Sequence, residues 1–374
     1  MKILQLGKFY PIHGGVEKVM WTLMTGLNSR PGVRCDMLCA KFKGDDVSPE
    51  DSALADGHLI CVRALAKLAG TMIAPRMISW LRTHARDYDI IHIHHPDPMA
   101  ALALRLSGYD GRVILHWHSD IVSQRFWMNF YAPLQSWLIK RASYIVGTTP
   151  VYIAESPWLR DVQDKVGYVP IGIKPLEYDE ETATRIKASF PGSKLILSVG
   201  RLVPYKGFSH LIDAMRCLPD SYHLVVIGQG PLRDCLEAQV ADAGLSGRVT
   251  FAGFVEDDML PSYFAACDVF VLASVMKTEA FGIVQLEAFS CGKPVVATRI
   301  PGSGVSWVNE NGVSGLNVMP GDGRAIADAV ISICNDDTVH GRFSSSARQR
   351  FWELFTLDTM INNIMSIYES QFTD

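Results

Sequence analysis

Residues 195–207 read Leu-Ile-Leu-Ser-Val-Gly-Arg-Leu-Val-Pro-Tyr-Lys-Gly, an apolar run that ends in a glycine and is followed by two cations. The run lacks the alternation of a half-solvated strand and is typical of a strand buried on both faces of a parallel sheet. Arg201 and Lys206 therefore follow the carboxyl end of a strand, where such sheets bind ligands. These cations suit a diphosphate leaving group, and two solvated cations in a surface loop are the plain alternative.

Similar short apolar runs recur along the chain, each followed by a turn and a longer segment of mixed composition. They lie at residues 3–6, 33–38, 59–62, 90–93, 113–115, 144–146, 223–227, 249–251, 269–272 and 295–297. This spacing predicts βαβ units, which occur both before and after a junction near residues 169–181. We expect an α/β protein with two doubly wound, Rossmann-like domains, residues 1–172 and 173–350, whose strand ends face each other across a cleft. Residues 351–374 are predicted to form a helix that returns to the first domain.

Length and composition limit the class of protein. The 374 residues are 48% hydrophobic and 20% charged, which excludes a disordered or collagen-like chain. No apolar run approaches the ~18 residues of a membrane-spanning helix, and the N-terminal run is too short for a signal peptide. The eight cysteines include no Cys-x-x-Cys pair, so we expect them to be reduced and buried in a cytoplasmic protein.

Charge is divided unevenly between the two halves. Residues 1–172 contain 19 Lys and Arg against 15 Asp and Glu, whereas residues 173–374 contain 16 against 24. The segment from Val62 to Arg86 contains five cations, no acid and many apolar residues. It predicts one or two basic amphipathic helices, suited either to the anionic inner face of a membrane or to a solvated surface beside a core stripe. No basic platform with interleaved aromatic residues is present, which argues against nucleic acid.

Two further motifs bear candidate chemistry. Gly14 and Gly15 follow the first strand and open a helix, where the backbone can approach a phosphate or simply make a tight turn. Glu279 and Glu287 are separated by seven residues. If a helix begins near Gly282, Glu279 precedes it and Glu287 lies more than one turn inside, on an inward face. These positions suit a donor-sugar contact and a ribose diol, or else a capping acid and a surface charge.

Together these motifs make the chain resemble the retaining glycosyltransferases of family 4, which have the GT-B fold of two Rossmann-like domains. The resemblance is strong over residues 195–322. It is carried in order by residues 198–202, 206–207, 228–232, 249–255, 267–274, 278–282, 287–289, 292–298 and 315–322. It is thinner over residues 1–172. Residues 301–307 depart from the pattern, because they contain no glutamate where many relatives have Gly-Gly-x-x-Glu.

The resemblance implies a role for each candidate residue. Arg201 and Lys206 would neutralise the departing diphosphate, Glu279 would contact the donor sugar, and Glu287 would hold the ribose. Other implied contacts are the amides of Phe281, Gly282 and Ile283, Val255 near the base, Gly14 and Gly15 at the distal phosphate, and His118, near Thr149, at the donor sugar. In this family the leaving diphosphate is thought to deprotonate the acceptor, which suits a chain with no evident nucleophile.

The expected reaction is transfer of a hexose from a nucleoside-diphosphate sugar to a growing polysaccharide or a lipid-linked saccharide. Similarity to polysaccharide mannosyltransferases favours mannose from GDP-mannose. We expect no cofactor or metal, because Arg201, Lys206 and a helix terminus supply the positive charge.

Three alternatives remain open at the level of the sequence. The first is a nucleotide-sugar epimerase with the same fold, and the second is a sugar-binding protein without turnover. The third is a metal-dependent hydrolase that uses His92, His94 and His95. On a strand, His92 and His94 share one face, and His95 lies on the other.

Overall fold

The structure, a computed structural model, describes residues 1–12, 14–45, 58–68, 70–121 and 125–372, and of residues 125–128 it describes the backbone alone. The chain divides into two compact units, one of Met1–Ile171 with Leu357–Asp374 and one of Gly172–Thr356. The expected boundaries were 172/173 and 350/351. Residues 351–356 stay with the second unit because Phe351 and Phe355 are fully buried there.

The described elements alternate in the order expected of βαβ units. The strands are β1 (Lys2–Phe9), β2 (Arg34–Lys41), β3 (Leu59–Arg63), β4 (Ala66–Leu68), β5 (Thr71–Ile73), β6 (Ile90–His95), β7 (Arg112–Trp117), β8 (Tyr144–Gly147), β9 (Val166–Tyr168), β10 (Lys194–Val199), β11 (Tyr222–Ile227), β12 (Val249–Gly253), β13 (Val269–Leu272), β14 (Val295–Thr298) and β15 (Gly315–Val318). The helices are α1 (Gly15–Asn28), α2 (Arg76–His84), α3 (Pro98–Ser107), α4 (Arg125–Arg141), α5 (Pro150–Ala154), α6 (Glu180–Ala188), α7 (Phe208–Met215), α8 (Arg233–Asp242), α9 (Leu260–Ala266), α10 (Val284–Ser290), α11 (Val305–Val308), α12 (Gly323–Cys334), α13 (Asp337–Leu354) and α14 (Leu357–Ser370).

The first unit contains a parallel sheet in the order β3-β2-β1-β6-β7-β8-β9. The chain begins at β1, winds outward through β2 and β3, and then crosses to β6 on the other side of β1. The strand order therefore reverses between β1 and β6. In open α/β sheets, ligands bind in the crevice at such a reversal.

The second unit contains a parallel sheet in the order β12-β11-β10-β13-β14-β15. Its strand order reverses between β10 and β13. Leu195, Ile196 and Leu197 are consecutive and almost completely buried, so β10 is covered on both faces as its sequence predicts. The α/β class and the two doubly wound sheets are thus confirmed.

The basic segment from Val62 to Arg86 differs from its prediction. The described part of it holds one helix, α2, while β4 and β5 form an antiparallel hairpin where a further helix was allowed. Gly70, with φ of 81°, lies between the two strands, and the β-branched Thr71 and Ile73 on β5 favour extended backbone. The segment is therefore a hairpin followed by a short helix.

The C-terminal segment also divides into two helices. Helix α13 belongs to the second unit and α14 to the first, which confirms the expected return from residue 357 onward. On α14, Ile361 packs so closely on Gly26 of α1 that a Cβ at residue 26 would lie 2.7 Å from its Cδ1 atom. Arg30, two residues after α1, forms an ion pair of 3.2 Å with Asp358 of α14.

Gly207 and Gly244 of the second unit have the same φ of +69° but differ in how closely other atoms approach them. Substituting each by alanine therefore distinguishes the cost of left-handed backbone from the cost of a steric clash. A Cβ at Gly207 would lie 2.1 Å from the carbonyl oxygen of Ala273, whereas a Cβ at Gly244 meets no described atom within 4 Å. We expect Gly244→Ala to cost about 1–2 kcal/mol of unfolding free energy, the cost of left-handed backbone. Gly207→Ala should cost more, because the loops after β10 and β13 must also separate. Equal losses in denaturant unfolding would contradict this.

Candidate active site

A partly buried ion pair lies where the strand order of the second sheet reverses. Lys206 ends a short 3₁₀ turn after β10, and Glu279 lies in the loop after β13. The Lys206 Nζ and Glu279 Oε2 atoms are 2.5 Å apart, and the two side chains are only 14% and 12% exposed. Ser274 donates a hydrogen bond of 2.9 Å to the same carboxylate oxygen. The predicted cation and carboxylate are thus brought together, although 73 residues separate them.

Backbone hydrogen bonds hold the loops that carry this pair. The amide of Val275 donates to the carbonyl of Tyr205 at 2.8 Å, which ties the loop after β13 to the loop after β10. The amide of Gly304 donates to the carbonyl of Ala280 at 2.8 Å. The Ser303 hydroxyl donates to the backbone carbonyl of Glu279. The loops that carry Lys206 and Glu279 are therefore held in place by hydrogen bonds to each other and to the loop that contains Ser303 and Gly304.

Helix α10 begins two residues later than Gly282. Gly282 has φ of 75°, and a Cβ there would lie 2.7 Å from Leu272. Within the described residues, the amides of Phe281, Gly282 and Ile283 donate to no backbone or side-chain acceptor. Glu287 lies in the first turn of α10 and is half-buried. Free amides and the nearby half-buried Lys206 make this end of the sheet suitable for an anion.

The remaining candidates of the second unit lie at neighbouring strand ends. Arg201 follows β10 by two residues, is exposed, and pairs with no carboxylate of the described chain. Val255 follows β12 by two residues and is half-buried. The structure therefore places Arg201 and Val255 at the edge of the sheet formed by the carboxyl ends of its strands, and neither forms a hydrogen bond or ion pair with Lys206 or Glu279.

A second lysine and carboxylate lie where the order of the first sheet reverses, and the sequence analysis missed both. Lys8, near the end of β1, has φ of 59°, which is strained for a residue with a side chain. Its amide donates to Asp97 at 2.5 Å, and its ammonium donates to the carbonyl of Pro96 at 2.5 Å. Burial lowers the pKa of Lys8 and raises the pKa of Asp97. The available signals were the cation at a strand end and the Asp-Pro helix start.

Gly14 and Gly15 open α1 beside this pair, as predicted. Gly14 is the N-cap and Gly15 the first helical residue. A Cβ at Gly14 would lie 2.0 Å from the Oε2 atom of Glu17, which is itself buried. The carboxylate of Glu17 thus lies against the helix start at which the sequence predicts a phosphate.

His118 directly follows β7 and belongs to a stack of histidines. It is 5% exposed, and its Nε2 atom is 2.8 Å from Nδ1 of His94. The rings of His92, His94, His116 and His118 pack with centroid separations of 4.0–5.2 Å and interplanar angles of 9–23°. His95 lies on the other face, against the ring of Trp117. The predicted division of the strand histidines between two faces is thus confirmed.

This stack is poorly arranged for a metal ion. His92, His94 and His116 bring one ligand atom each within 4.8 Å of one another. A metal bound to His94, however, would have to displace one of the hydrogen bonds of that ring. Both nitrogens of His94 already have hydrogen-bond partners, and His95 points away. The geometry therefore argues against the hydrolase alternative.

Burial keeps these imidazoles neutral at pH 7. It lowers the pKa of His95 and of His116 to about 3, and it holds the pKa of His92, His94 and His118 well below 6.5. The cause is desolvation, since a buried imidazolium loses its hydration.

Comparison with known proteins agrees with this architecture. Residues 13–175 match the family described as Glycosyltransferase Family 4, and residues 179–350 match Glycosyl transferases group 1. The O-antigen chain mannosyltransferase C of Escherichia coli is 30% identical over 372 residues, which cover 98% of each chain. The chain belongs to the family 4 glycosyltransferases. It therefore has the GT-B fold and glycosyltransferase activity.

Two other proteins similar to this glycosyltransferase are informative. A GDP-mannose-dependent α-(1-6)-phosphatidylinositol monomannoside mannosyltransferase of Mycobacterium tuberculosis is 28% identical and covers 89% of each chain. The crystal structure of Anabaena HepE in complex with UDP has a TM-score of 0.81 at 21% identity, over 99% of this chain and 100% of that one. The structural likeness supports the fold. Among the described residues of this glycosyltransferase, no helix is long and apolar enough to cross a membrane.

The stack makes the first unit of this glycosyltransferase sensitive to acid. Each buried histidine has a folded pKa below its unfolded value of ~6.5, so its contribution to stability is present above that pH and is lost as pH falls toward 3. For His116 the loss between pH 7 and 5 is about 2 kcal/mol. Neither ring nitrogen of His116 has a partner among the described residues, so we expect His116→Phe to be tolerated at pH 7 and to melt higher than wild type at pH 5.

Differential scanning calorimetry at the two pH values measures this effect. His210→Gln, in the second unit, is the control and should leave the pH dependence of the first unit unchanged. The explanation fails if wild type and His116→Phe lose the same stability on acidification.

Proposed function

We propose that this glycosyltransferase transfers mannose from GDP-mannose, with retention of anomeric configuration and without a metal, to a growing polysaccharide or a lipid-linked saccharide. The observation that carries the proposal is the partly buried Lys206–Glu279 pair at the reversal of the second sheet. The E. coli and M. tuberculosis relatives are both mannosyltransferases, which supports the sugar, and the second is GDP-mannose-dependent, which supports the nucleotide. UDP in the Anabaena structure makes the base the first property to test.

The residues around the ion pair bind different parts of the nucleotide-sugar donor. Lys206 and Arg201 neutralise the diphosphate, which the amides of 281–283 also approach. When the diphosphate draws Lys206 away, Glu279 is released to accept hydrogen bonds from the hydroxyls of the sugar. Fixed cations and amides of this kind do the work of a metal, because they stabilise charge that grows on the leaving group.

Other candidate residues contact the ribose, the base, the distal phosphate and the hexose of the donor. Glu287 holds the ribose, and Val255 lies at the base. Gly14 and Gly15 approach the distal phosphate, and His118 contacts the hexose. These assignments are the ones that the resemblance to the family implies, and the positions of the residues at strand ends and helix starts are compatible with them.

The chemical step needs no enzymic nucleophile. The bond between the anomeric carbon and the phosphate oxygen breaks, and a bond to the acceptor oxygen forms on the same face. The proton of the acceptor hydroxyl passes to the leaving phosphate. The diphosphate thus acts as both leaving group and base, and the enzyme supplies position and charge.

Two glutamate variants test the division of roles. A contact used only in the transition state affects kcat, whereas a contact that is equal in the ground and transition states affects KM. We expect Glu279→Gln to lower kcat with a modest change in donor KM. Glu287→Gln should raise donor KM and weaken binding of free GDP by about 1.5–3 kcal/mol, the range for a charge-assisted hydrogen bond. If Glu279→Gln weakens GDP binding more in calorimetry, the two roles are reversed.

Cation variants and the product complete this test. Lys206→Ala and Arg201→Ala should each lower kcat/KM by ~10²–10³-fold. Lys187→Ala, which breaks the ion pair with Asp268 elsewhere in the second unit, is the matched control. A thermal-shift panel of GDP, UDP, ADP and their sugars identifies the donor, and NMR of the product gives the anomer. Loss of activity to a chelator, or a changed sugar without acceptor, would overturn the proposal.

We also propose that the enzyme works at the anionic inner face of a membrane, through the β4–β5 hairpin and α2. Leu65 and Leu68 of the hairpin region are 70% and 50% exposed, and Arg76 and Arg86 are also exposed. Exposed leucines beside cations suit a headgroup surface, where each cation contributes about 1 kcal/mol.

Vesicle sedimentation tests this association. We expect binding to anionic vesicles that weakens as salt rises, because screening acts over ~10 Å at 0.1 M salt. The double variant Arg76→Gln with Arg86→Gln should bind roughly thirtyfold more weakly, from about 1 kcal/mol for each charge. Replacing the exposed Arg216 and Arg342 of the second unit is the control. Equal binding of wild type to neutral and anionic vesicles would exclude the proposal.

A further inference from the structure

A chain of buried hydrogen bonds leads from α14 to His118 within the first unit. The Tyr368 hydroxyl is 2.5 Å from Nδ1 of His92 and 3.2 Å from Nε2 of Gln5. The Oε1 atom of Gln5 is 2.6 Å from Nε2 of His94, and Nδ1 of His94 is 2.8 Å from Nε2 of His118. All five side chains are buried. In a buried chain of hydrogen bonds, each link needs one donor and one acceptor, so the direction of one bond determines the direction of the next.

The chemistry of the side-chain amide sets these directions. An amide nitrogen only donates and an amide oxygen only accepts. Gln5 therefore donates to the Tyr368 oxygen, and the single Tyr368 proton goes to Nδ1 of His92. At its other end Gln5 accepts, so the proton of His94 is on Nε2.

The position of the proton on His94 then determines its position on His118. The pKa of His94 and of His118 lies well below 6.5, so each ring carries one proton. His94 holds its proton on Nε2, and its Nδ1 must accept. The Nε2 atom of His118 is then the donor, and its Nδ1 carries the lone pair. Among the described residues, no group hydrogen-bonds to that Nδ1 atom.

We propose that Gln5, His94 and Tyr368 are positioning residues that hold His118 as a hydrogen-bond acceptor, with the proton on Nε2 and the lone pair on Nδ1. The inference rests on the proposed function, in which His118 contacts the transferred hexose. A ring held in this form accepts a hydrogen bond from a sugar hydroxyl and is unable to donate one from Nδ1. The role of α14 is then to supply the hydroxyl that orients the Gln5 amide.

Nitrogen-15 NMR of the histidine rings of wild-type protein tests the tautomer directly and needs no activity. Protonated and unprotonated ring nitrogens have well-separated chemical shifts. We expect His118 and His94 each to show a protonated Nε2 and an unprotonated Nδ1 at pH 7. Signals with the proton of His118 on Nδ1, or an equal mixture of the two tautomers, would overturn the proposal.

Tyr368→Phe tests the positioning role. Without the hydroxyl, only the weak 3.6 Å contact with the Sγ atom of Cys35 still orients the Gln5 amide nitrogen, so we expect mixed tautomers at His94 and His118. We also expect kcat/KM for transfer to fall about three- to tenfold, the range for loss of one hydrogen bond. Binding of free nucleotide should not change. Tyr222→Phe is the matched control, because it removes a buried hydroxyl bonded to Asn335 in the second unit.

The outcomes separate this inference from the function on which it rests. If no donor is turned over but wild type shows the expected tautomers, the proposed function fails and the chain of hydrogen bonds stands. If Tyr368→Phe mixes the tautomers and transfer proceeds at the wild-type rate, the positioning role is wrong. If Tyr222→Phe lowers transfer as much as Tyr368→Phe, the effect is one of stability, and the positioning role is likewise wrong.

Discussion

The reversal of strand order in each sheet is the constraint on which the rest of the structure depends. A parallel sheet that starts at a central strand must send its later strands to the other side, and the loops there part to leave a crevice. In the second unit this crevice holds Lys206 and Glu279, and in the first it holds Lys8 and Asp97. Charged residues far apart in the sequence thus meet at one edge of each sheet.

A buried ion pair is weak evidence for stability, because desolvation of two charges offsets their attraction. Lys206 and Glu279 are better explained by what they offer to a ligand. The same reasoning applies to the strained backbone of Lys8, since a residue at φ of 59° persists only where the surrounding contacts impose it. The free-energy costs of desolvated charge and strained backbone are concentrated at the two crevices. The strands below them, such as Leu195–Leu197, are apolar and closely buried.

The sequence predicts the sheets better than the contacts within them. Apolar runs identified most of the strands, because burial on both faces selects Val, Ile and Leu. Strands β9 and β15 were not predicted. Gly167 interrupts the apolar run of β9, and Gly315 with Asn317 interrupts that of β15. The hairpin of β4 and β5 was taken for helix because short segments carry too few residues to fix a period.

The candidate site shows the same limit. Glu279 was predicted from its local motif, and so was Lys206. Their contact depends on strand order, which local composition does not encode. His92 and His94 were predicted to share one face of a strand, but their stacking with His116 depends on the register between β6 and β7, where His94 pairs with His116. Lys8 and Asp97 were overlooked because each has an ordinary local explanation, as a strand end and as a helix cap.

Both expected phosphate positions are occupied by one of the chain's own carboxylates. Glu279 neutralises Lys206, and Glu17 lies against the start of α1 at Gly14. An incoming phosphate must displace these acids, so part of its interaction energy replaces contacts that already exist. A ligand with a single negative charge gains little from that exchange, whereas a diphosphate brings enough charge to satisfy the cation and the free amides together. In the proposed function, the resident carboxylates therefore favour the more highly charged anion, and Glu279, once displaced, is available to the sugar that the diphosphate carries.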